Sequence, residues 1–350
     1  MSKITRIGLD TAKNIFHIVG INKDNKEVLK KKLNRNQMVK YFTTIDPCTI
    51  ALEACGGSHY WARVLEEKGH RVMLIPAQHA KAARQGQKND YNDARGILAA
   101  SLRSDVRPVA IKSVADQDLQ ALSRLRSQAV NGRSNLARSL RGLLTERGIV
   151  LAKGLNKLRE AIPGLLEDGE NGLTPSFRGL LNREYDRLRG LDESVKSYDQ
   201  LVKDTVKSDP GCQRLLTIPG YGPIVALQYR AKIGNGCHLG RGRDAGVLVG
   251  LTPRHFGTGG KNKIGSITKH GDGALRSGLA HGARAVVSRA KGKADPVSRW
   301  IQQLEARVGR NKATIAYANK MARVGWSVLR YETEFDPTLL CAARPTTASQ

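Results

Sequence analysis

The sequence predicts an α/β layer domain followed by a mainly α-helical remainder, on three observations. Over the first hundred residues short β-branched runs alternate with helical stretches, the pattern of strands layered against helices. Leu119, Leu122, Ala129, Leu136, Leu140 and Leu143 then recur at helical spacing, with Arg124, Arg126, Arg133, Arg138 and Arg141 between them. Finally, Gly154, Pro163, Gly164 and Asp209-Pro210-Gly211 punctuate the helical part, where glycine and proline stop helices.

Taken in order, residues 4–19 read as a strand running into a hairpin, with Asn22-Lys23-Asp24-Asn25 as its turn. Residues 36–43 read as a short helix, 49–53 as a buried strand, 60–68 as a helix, 71–75 as a strand and 90–103 as a helix. Ser113-Val114-Ala115-Asp116 sets a capping residue ahead of an acid in the first turn, which starts a long helix. In a second long helix Leu181, Leu188, Val195 and Val202 lie seven apart, with Glu184 interrupting the companion positions. That is a modest coiled-coil signal, open between a helical hairpin packed on itself and a seam between chains. Beyond 211 the chain reads as glycine-rich and basic to about 278, then helical over 279–331. The expected organisation is thus an α/β domain at 1–110, a helical region at 111–208, a third domain at 209–335 and a disordered tail at 336–350.

Charge narrows the function. Lys and Arg number 58 against 31 Asp and Glu, a net charge of +27 spread along the whole chain. An excess of that size attracts polyanions and releases their counterions, so nucleic acid is the expected partner. The five cysteines, Cys48, Cys55, Cys212, Cys237 and Cys341, show no CxxC spacing, which argues against a zinc site or a disulfide framework. No apolar run has membrane-spanning length and the opening MSKITRIGLD carries no signal-peptide core, so a cytoplasmic location without a membrane partner is expected.

Four acids stand out. Asp10 ends the run Ile7-Gly8-Leu9-Asp10, and Glu53 ends Ile50-Ala51-Leu52-Glu53. Asp90 and Asp93 lie three apart at the start of a helix and share a face. Acids at strand ends and on one helical turn can converge, and their repulsion then calls for a hard cation such as Mg²⁺. Lys88, just before the pair, is placed to contact phosphate.

The third region carries two glycine motifs. Ile218-Pro219-Gly220-Tyr221-Gly222 resembles the hairpin of helix-hairpin-helix modules, where Gly220 and Gly222 would let backbone amides approach phosphate. Further on, Gly250-Leu251-Thr252-Pro253-Arg254 leads into Thr258-Gly259-Gly260-Lys261 and Ile267-Thr268-Lys269-His270-Gly271-Asp272. Arg254, Lys261, Lys263, Lys269 and Arg276 flank hydroxyls set between glycines. Such a segment reads either as a loop gripping phosphate or as the seat of a nucleophilic hydroxyl.

Together these motifs, with Gly8-Leu9-Asp10-Thr11-Ala12-Lys13, Leu52-Glu53-Ala54-Cys55-Gly56 and Lys88-Asn89-Asp90-Tyr91-Asn92-Asp93 among them, make residues 4–335 similar to the DEDD-type insertion-sequence transposases. These are bridge-RNA-guided DNA recombinases of bacterial mobile elements. The resemblance implies an RNase H-like (RuvC-like) N-terminal domain whose metal-binding acids are Asp10, Glu53, Asp90 and Asp93. It implies a C-terminal transposase domain that supplies a hydroxyl to one composite site and becomes covalently linked to DNA. It further implies a structured guide RNA, a dimer or tetramer of this chain, and action at the nucleoid. The family serine just before a glycine is matched here by Thr258, whose β-methyl restricts χ1. Threonine as the nucleophile, nearby Ser266 in its place, or an impaired copy all stay open. Three other readings compete: a junction nuclease using water, a phosphotransferase of the actin and sugar-kinase class, and a non-catalytic binding module.

Overall fold

The structure, a computed structural model, describes residues 3–338. Most of the tail expected to be disordered, from 339 on and including Cys341, lies outside the described residues. The chain divides into two compact units between Ser113 and Val114.

In the first unit β1 (Arg6–Thr11), β2 (Ile15–Ile21), β3 (Glu27–Asn34), α1 (Arg35–Thr44), β4 (Thr49–Glu53), α2 (Ser58–Glu67), β5 (Arg71–Ile75), α3 (Ala77–Ala83) and α4 (Asp90–Leu102) follow one another. The five strands form one mixed sheet in the order β3-β2-β1-β4-β5. β3, β2 and β1 pair antiparallel in succession, while β4 lies parallel beside β1 and β5 parallel beside β4. A sheet of this kind with helices on both faces is compatible with an RNase H-like domain.

Two-residue alternation assigns the faces. Ile7, Leu9, Phe16, Ile18, Ile50 and Leu52 pack with Met38 and Phe42 of α1 and Trp61 and Leu65 of α2. The opposite face meets α4: Val19 and Ile21 pack with Ala94 and Leu98, and Ala51 and Ile75 with Ile97.

The single strand expected over 4–19 is two strands, with the chain turning at Ala12 between β1 and β2. The Asn22–Asn25 turn forms where expected and joins β2 to β3, with Asn22 Oδ1 accepting from the Asp24 and Lys26 amides at 3.0 Å. The returning strand of that hairpin, β3, carries three consecutive lysines in EVLKKKLN. Those lysines suit a sheet edge, where they discourage pairing with other chains.

The second unit holds α5 (Val114–Thr145), α6 (Leu155–Glu167), α7 (Pro175–Ser208), α8 (Pro210–Leu216), α9 (Pro223–Ile233) and α10 (Gly242–Leu248). There follow the hairpin β6 (Pro253–Thr258) and β7 (Lys261–Ile267), then α11 (Gly273–Ser288), α12 (Pro296–Val308) and α13 (Arg310–Tyr331). The stretch expected to be helical over 279–331 is helical as three helices, with breaks before Pro296 and at Gly309, and the glycine-rich stretch contains a β-hairpin.

The heptad stripe is covered from within the chain: Leu181, Leu188, Val195 and Val202 are all buried. Arg126 Nε meets Asp199 at 2.6 Å and Arg133 Nη1 meets Asp192 at 3.3 Å. Partner numbers fall on one side as they rise on the other, so α5 and α7 lie antiparallel. Of the two arrangements left open by the sequence, the structure shows the helical hairpin packed on itself. Val202 and Val206 at the end of α7 join the core built by Tyr221, Tyr229, Tyr317, Met321 and Trp326.

Candidate metal centre

The site begins with strand register. Asp10 is paired across the β1–β2 ladder with His17. β4 lies parallel on the other side of β1, with Gly8 beside Ala51 and Leu9 beside Leu52, which sets Glu53 one residue past the last pair. By alternation Asp10, His17 and Glu53 all face α4.

α4 is brought down onto them by a close approach at Gly8. A Cβ there would lie 2.7 Å from Leu98 Cβ and would run into the Ala94 carbonyl. Asn89 caps α4 by accepting from the Asn92 amide at 2.9 Å, so the helix starts where Asp90 and Asp93 share one face. Asp90 Oδ2 stands 3.4 Å from His17 Nδ1. Asp93 Oδ1 accepts from Arg84 Nη1 at 2.8 Å.

The four acids sense one another. Asp10 is pushed up to about 6, first by burial and then by the charges of Asp93, Asp90 and Glu53. Glu53 is raised by burial and by Asp93. Donor atoms of Asp10, His17 and Asp90 lie within 4.8 Å of one another, the tightest metal-competent group among the described residues. Oxygen donors repelling each other in a half-buried pocket fit a divalent cation, which would relieve that repulsion.

Of the four acids read from the sequence, Asp10 and Asp90 join the 4.8 Å donor group with His17, while Glu53 and Asp93 lie outside it and act on Asp10 through their charge. Lys88 is exposed one residue before the α4 cap. His17, Arg84 and Tyr91 were missed. Pairing of residues 10 and 17 becomes legible only once the chain is seen to turn at Ala12.

The remaining candidates lie in the second unit. Gly259 (φ +53°) and Gly260 (φ +79°) form the two-residue turn between β6 and β7, a conformation that excludes most side chains at both positions. Thr258 is therefore exposed at the hairpin tip, paired with Lys261. Ser266 lies five residues further along β7, roughly 17 Å away at strand rise, on the wall of a cleft of about 1350 Å³ with Trp300 and Arg307. Lys261, Lys263 and Lys269 are exposed. Arg254 donates to the Thr268 carbonyl at 3.2 Å, and Arg276 to the carbonyls of Val249 and His270 at 3.1 and 3.4 Å. In the PGYG turn Gly220 (φ +98°) packs against Met321 and Gly282, and a Cβ there would stand 2.8 Å from Met321 Cε. Gly222 caps α9, and a cavity of about 450 Å³ opens beside the turn, with Arg289 and Lys293 on its wall.

Comparison with known proteins places the whole chain in a family. A DEDD family model of the IS110 type, described as "Transposase", matches residues 7–148. A second model, "Transposase IS116/IS110/IS902 family", matches residues 212–297. A "Probable family 20 transposase" of Pseudomonas aeruginosa is 39% identical, with 95% of this chain and 99% of the relative covered. The chain belongs to the IS110/IS116/IS902 transposase family. This transposase is also 36% identical to the "Transposase for insertion sequence element IS1111A" of Coxiella burnetii, over 95% of this chain and 92% of the relative. It is 33% identical to the "Transposase for insertion sequence element IS1328" of Yersinia enterocolitica, over 96% and 99%. As an insertion-sequence transposase it is a DNA recombinase, and the DEDD type implies a divalent metal ion. Among the described residues of the transposase no helix is long and apolar enough to cross a membrane.

Proposed function

We propose that this transposase cuts and rejoins DNA with its acids holding Mg²⁺ and with Thr258 as the attacking hydroxyl. The observation that carries the reading is the convergence on Asp10, which is raised by burial and then by the charges of Asp93, Asp90 and Glu53, with Asp90 and His17 offering donors within 4.8 Å. Bound there, a divalent ion would draw negative charge off a phosphodiester and its leaving oxygen. Asp10 and Glu53, fixed at strand ends, set the rigid side of the cradle, and Asp90 and Asp93 set the other through the α4–Gly8 contact.

Thr258 Oγ1 attacks phosphorus as its bond to the neighbouring sugar oxygen breaks, and the hydroxyl proton leaves to solvent as that oxygen gains one. The phosphothreonine ester conserves the bond energy until another strand's hydroxyl displaces it. Both hydroxyls are exposed, and position at a tight turn supports Thr258 over Ser266, since a duplex can reach the tip without entering the cleft that Ser266 lines. Lys88, Lys261, Lys263 and Lys269 supply counter-charge along the backbone, with Arg254, Arg276 and the backbone amides of Gly220 and Gly222 as further contacts. Sequence choice is assigned to a structured guide RNA pairing with donor and target DNA, with more than one copy of the chain in the assembly.

Trapping on end-labelled donor DNA tests the chemistry. Wild type and Ser266→Ala are expected to leave protein joined to DNA, and Thr258→Ala is expected to leave none; an adduct with Thr258→Ala overturns the nucleophile. Asp10→Ala is expected to abolish cutting while DNA retention persists. Sequencing of RNA that co-purifies tests the guide, for which one structured species is expected. A hydrolytic nuclease is the second reading, favoured by the β-methyl that crowds Thr258. Cut ends free of protein from the wild type would establish it.

A further inference from the structure

We infer that His17 is a nitrogen ligand of the acidic centre, which makes the donor set oxygen-plus-imidazole and tunes it toward Mn²⁺ and later divalent ions over Mg²⁺. The inference rests on the metal reading above and extends it to a residue outside the four acids. Strand register comes first: His17 is the cross-strand partner of Asp10 and points to the same face. Its position thus depends on the ladder between β1 and β2 and not on a flexible loop.

Burial comes second. His17 is only 7% exposed although it borders a polar pocket, and a buried imidazole needs partners for both ring nitrogens. The carboxylate facing it is Asp90, at 3.4 Å from Nδ1, longer than a charge-assisted hydrogen bond. That spacing suits two donors sharing a cation: ligands at about 2.1 Å from one ion stand up to about 4.2 Å apart. A ring nitrogen of His17 and one oxygen each of Asp10 and Asp90 lie within 4.8 Å of one another, so a small contraction closes the set.

The ring is also held in place. Tyr91, next to Asp90, meets the His17 ring edge-on at a centroid distance of 4.8 Å and an angle of 77°. Lys30 Nζ lies over the Tyr91 ring, 4.5 Å from its centroid. A ligand clamped in this way loses little freedom on binding. Imidazole nitrogen favours transition metals, whereas carboxylates alone suit Mg²⁺.

Pulsed electron paramagnetic resonance on the full chain loaded with Mn²⁺ alone tests the inference. Wild type is expected to show nitrogen coupling on the bound ion. Protein carrying ¹⁵N only in histidine is expected to show the ¹⁵N pattern, so no variant has to fold for the result to count. His17→Gln is expected to lose the coupling and to weaken Mn²⁺ about tenfold, with Mg²⁺, read by competition, weakened much less. Bound Mn²⁺ without nitrogen coupling in the wild type overturns the His17 assignment and leaves the acid site standing. No saturable Mn²⁺ binding, or binding unchanged in Asp10→Asn, overturns the metal reading itself and His17 with it.

Discussion

Arg84 and Asp93 form an ion pair among the acids, Nη1 to Oδ1 at 2.8 Å, with each side chain more than three-quarters buried. Arg84 reaches Asp93 because α3 lies close on α4 at Gly96, where a Cβ would stand 3.0 Å from Arg84 Cα. A guanidinium there offsets one of four mutually repelling charges. Arg84→Gln is expected to lower the stability of the metal-free protein by about 1–2 kcal/mol. Saturating Mg²⁺ is expected to recover most of that loss, because the cation takes over the neutralising role. Thermal unfolding with and without Mg²⁺ reads both, and an equal deficit in each condition would separate Arg84 from the metal site.

The acids also depend on a contact that carries no charge. Gly8→Ala places a methyl against the Ala94 carbonyl and Leu98 Cβ, neither of which can yield without moving α4. A loss of about 1–3 kcal/mol is expected, together with loss of DNA cutting, because Asp90 and Asp93 ride on that helix. Leu98→Ala in the Gly8→Ala background is expected to recover part of both. No recovery in the double variant would show that Gly8 acts otherwise.

Much of this pocket was legible in the sequence, because acids at the ends of apolar runs announce strand termini, and Asn89 before Asp90 announces a helix start. His17 was hidden by an unforeseen turn at Ala12: with residues 4–19 taken as one strand, 10 and 17 never face each other. Arg84 was hidden because its position depends on packing between two helices, which no local pattern encodes. The β6–β7 hairpin was obscured by the same glycines that form its turn, since six exposed strand residues offer no apolar alternation.

The raised Asp10 sets a pH dependence. Its carboxyl titrates at about 6 in place of the usual 3.8, so folding favours the protonated form. Its contribution to metal-free stability is fully present below pH 3.8 and is lost as pH rises through 6. A divalent cation demands the ionised form, so protons and metal compete. The gain in Tm from saturating Mg²⁺ is therefore expected to be small at pH 5 and to rise to a plateau above about pH 7. A gain that stays flat from pH 5 to 8 would uncouple Asp10 from the ion.

At the hairpin tip, geometry and chemistry separate. Gly260→Ala forces a side chain into φ +79° and is expected to cost about 1 kcal/mol locally, with little change in global unfolding because the strands are exposed. Adduct formation on labelled DNA is expected to fall all the same, since Thr258 is aimed by that turn. Thr258→Ser removes the β-methyl and keeps the hydroxyl, so its adduct yield is expected to match or exceed wild type. A serine variant that forms no adduct would show that the hydroxyl at this position is not the nucleophile.

The α5–α7 hairpin decides what the middle of the chain contributes. Arginines spaced along α5 invite a reading as a nucleic-acid grip, yet Arg126 and Arg133 are turned to Asp199 and Asp192, and Arg159 of α6 also meets Asp192. Placed one heptad apart on each helix, these pairs fix which residues of two long, similar stripes face each other, a register function more than a stabilising one. Arg126→Asp sets two acids opposite each other and is expected to cost about 1 kcal/mol. Adding Asp199→Arg restores opposite charge and is expected to return most of the loss, since contacting residues couple by about 0.5 kcal/mol or more. Thermal unfolding of the two single variants and the double variant closes the cycle. Losses that simply add would mean that these side chains do not meet within one chain, and the antiparallel register would fall with them.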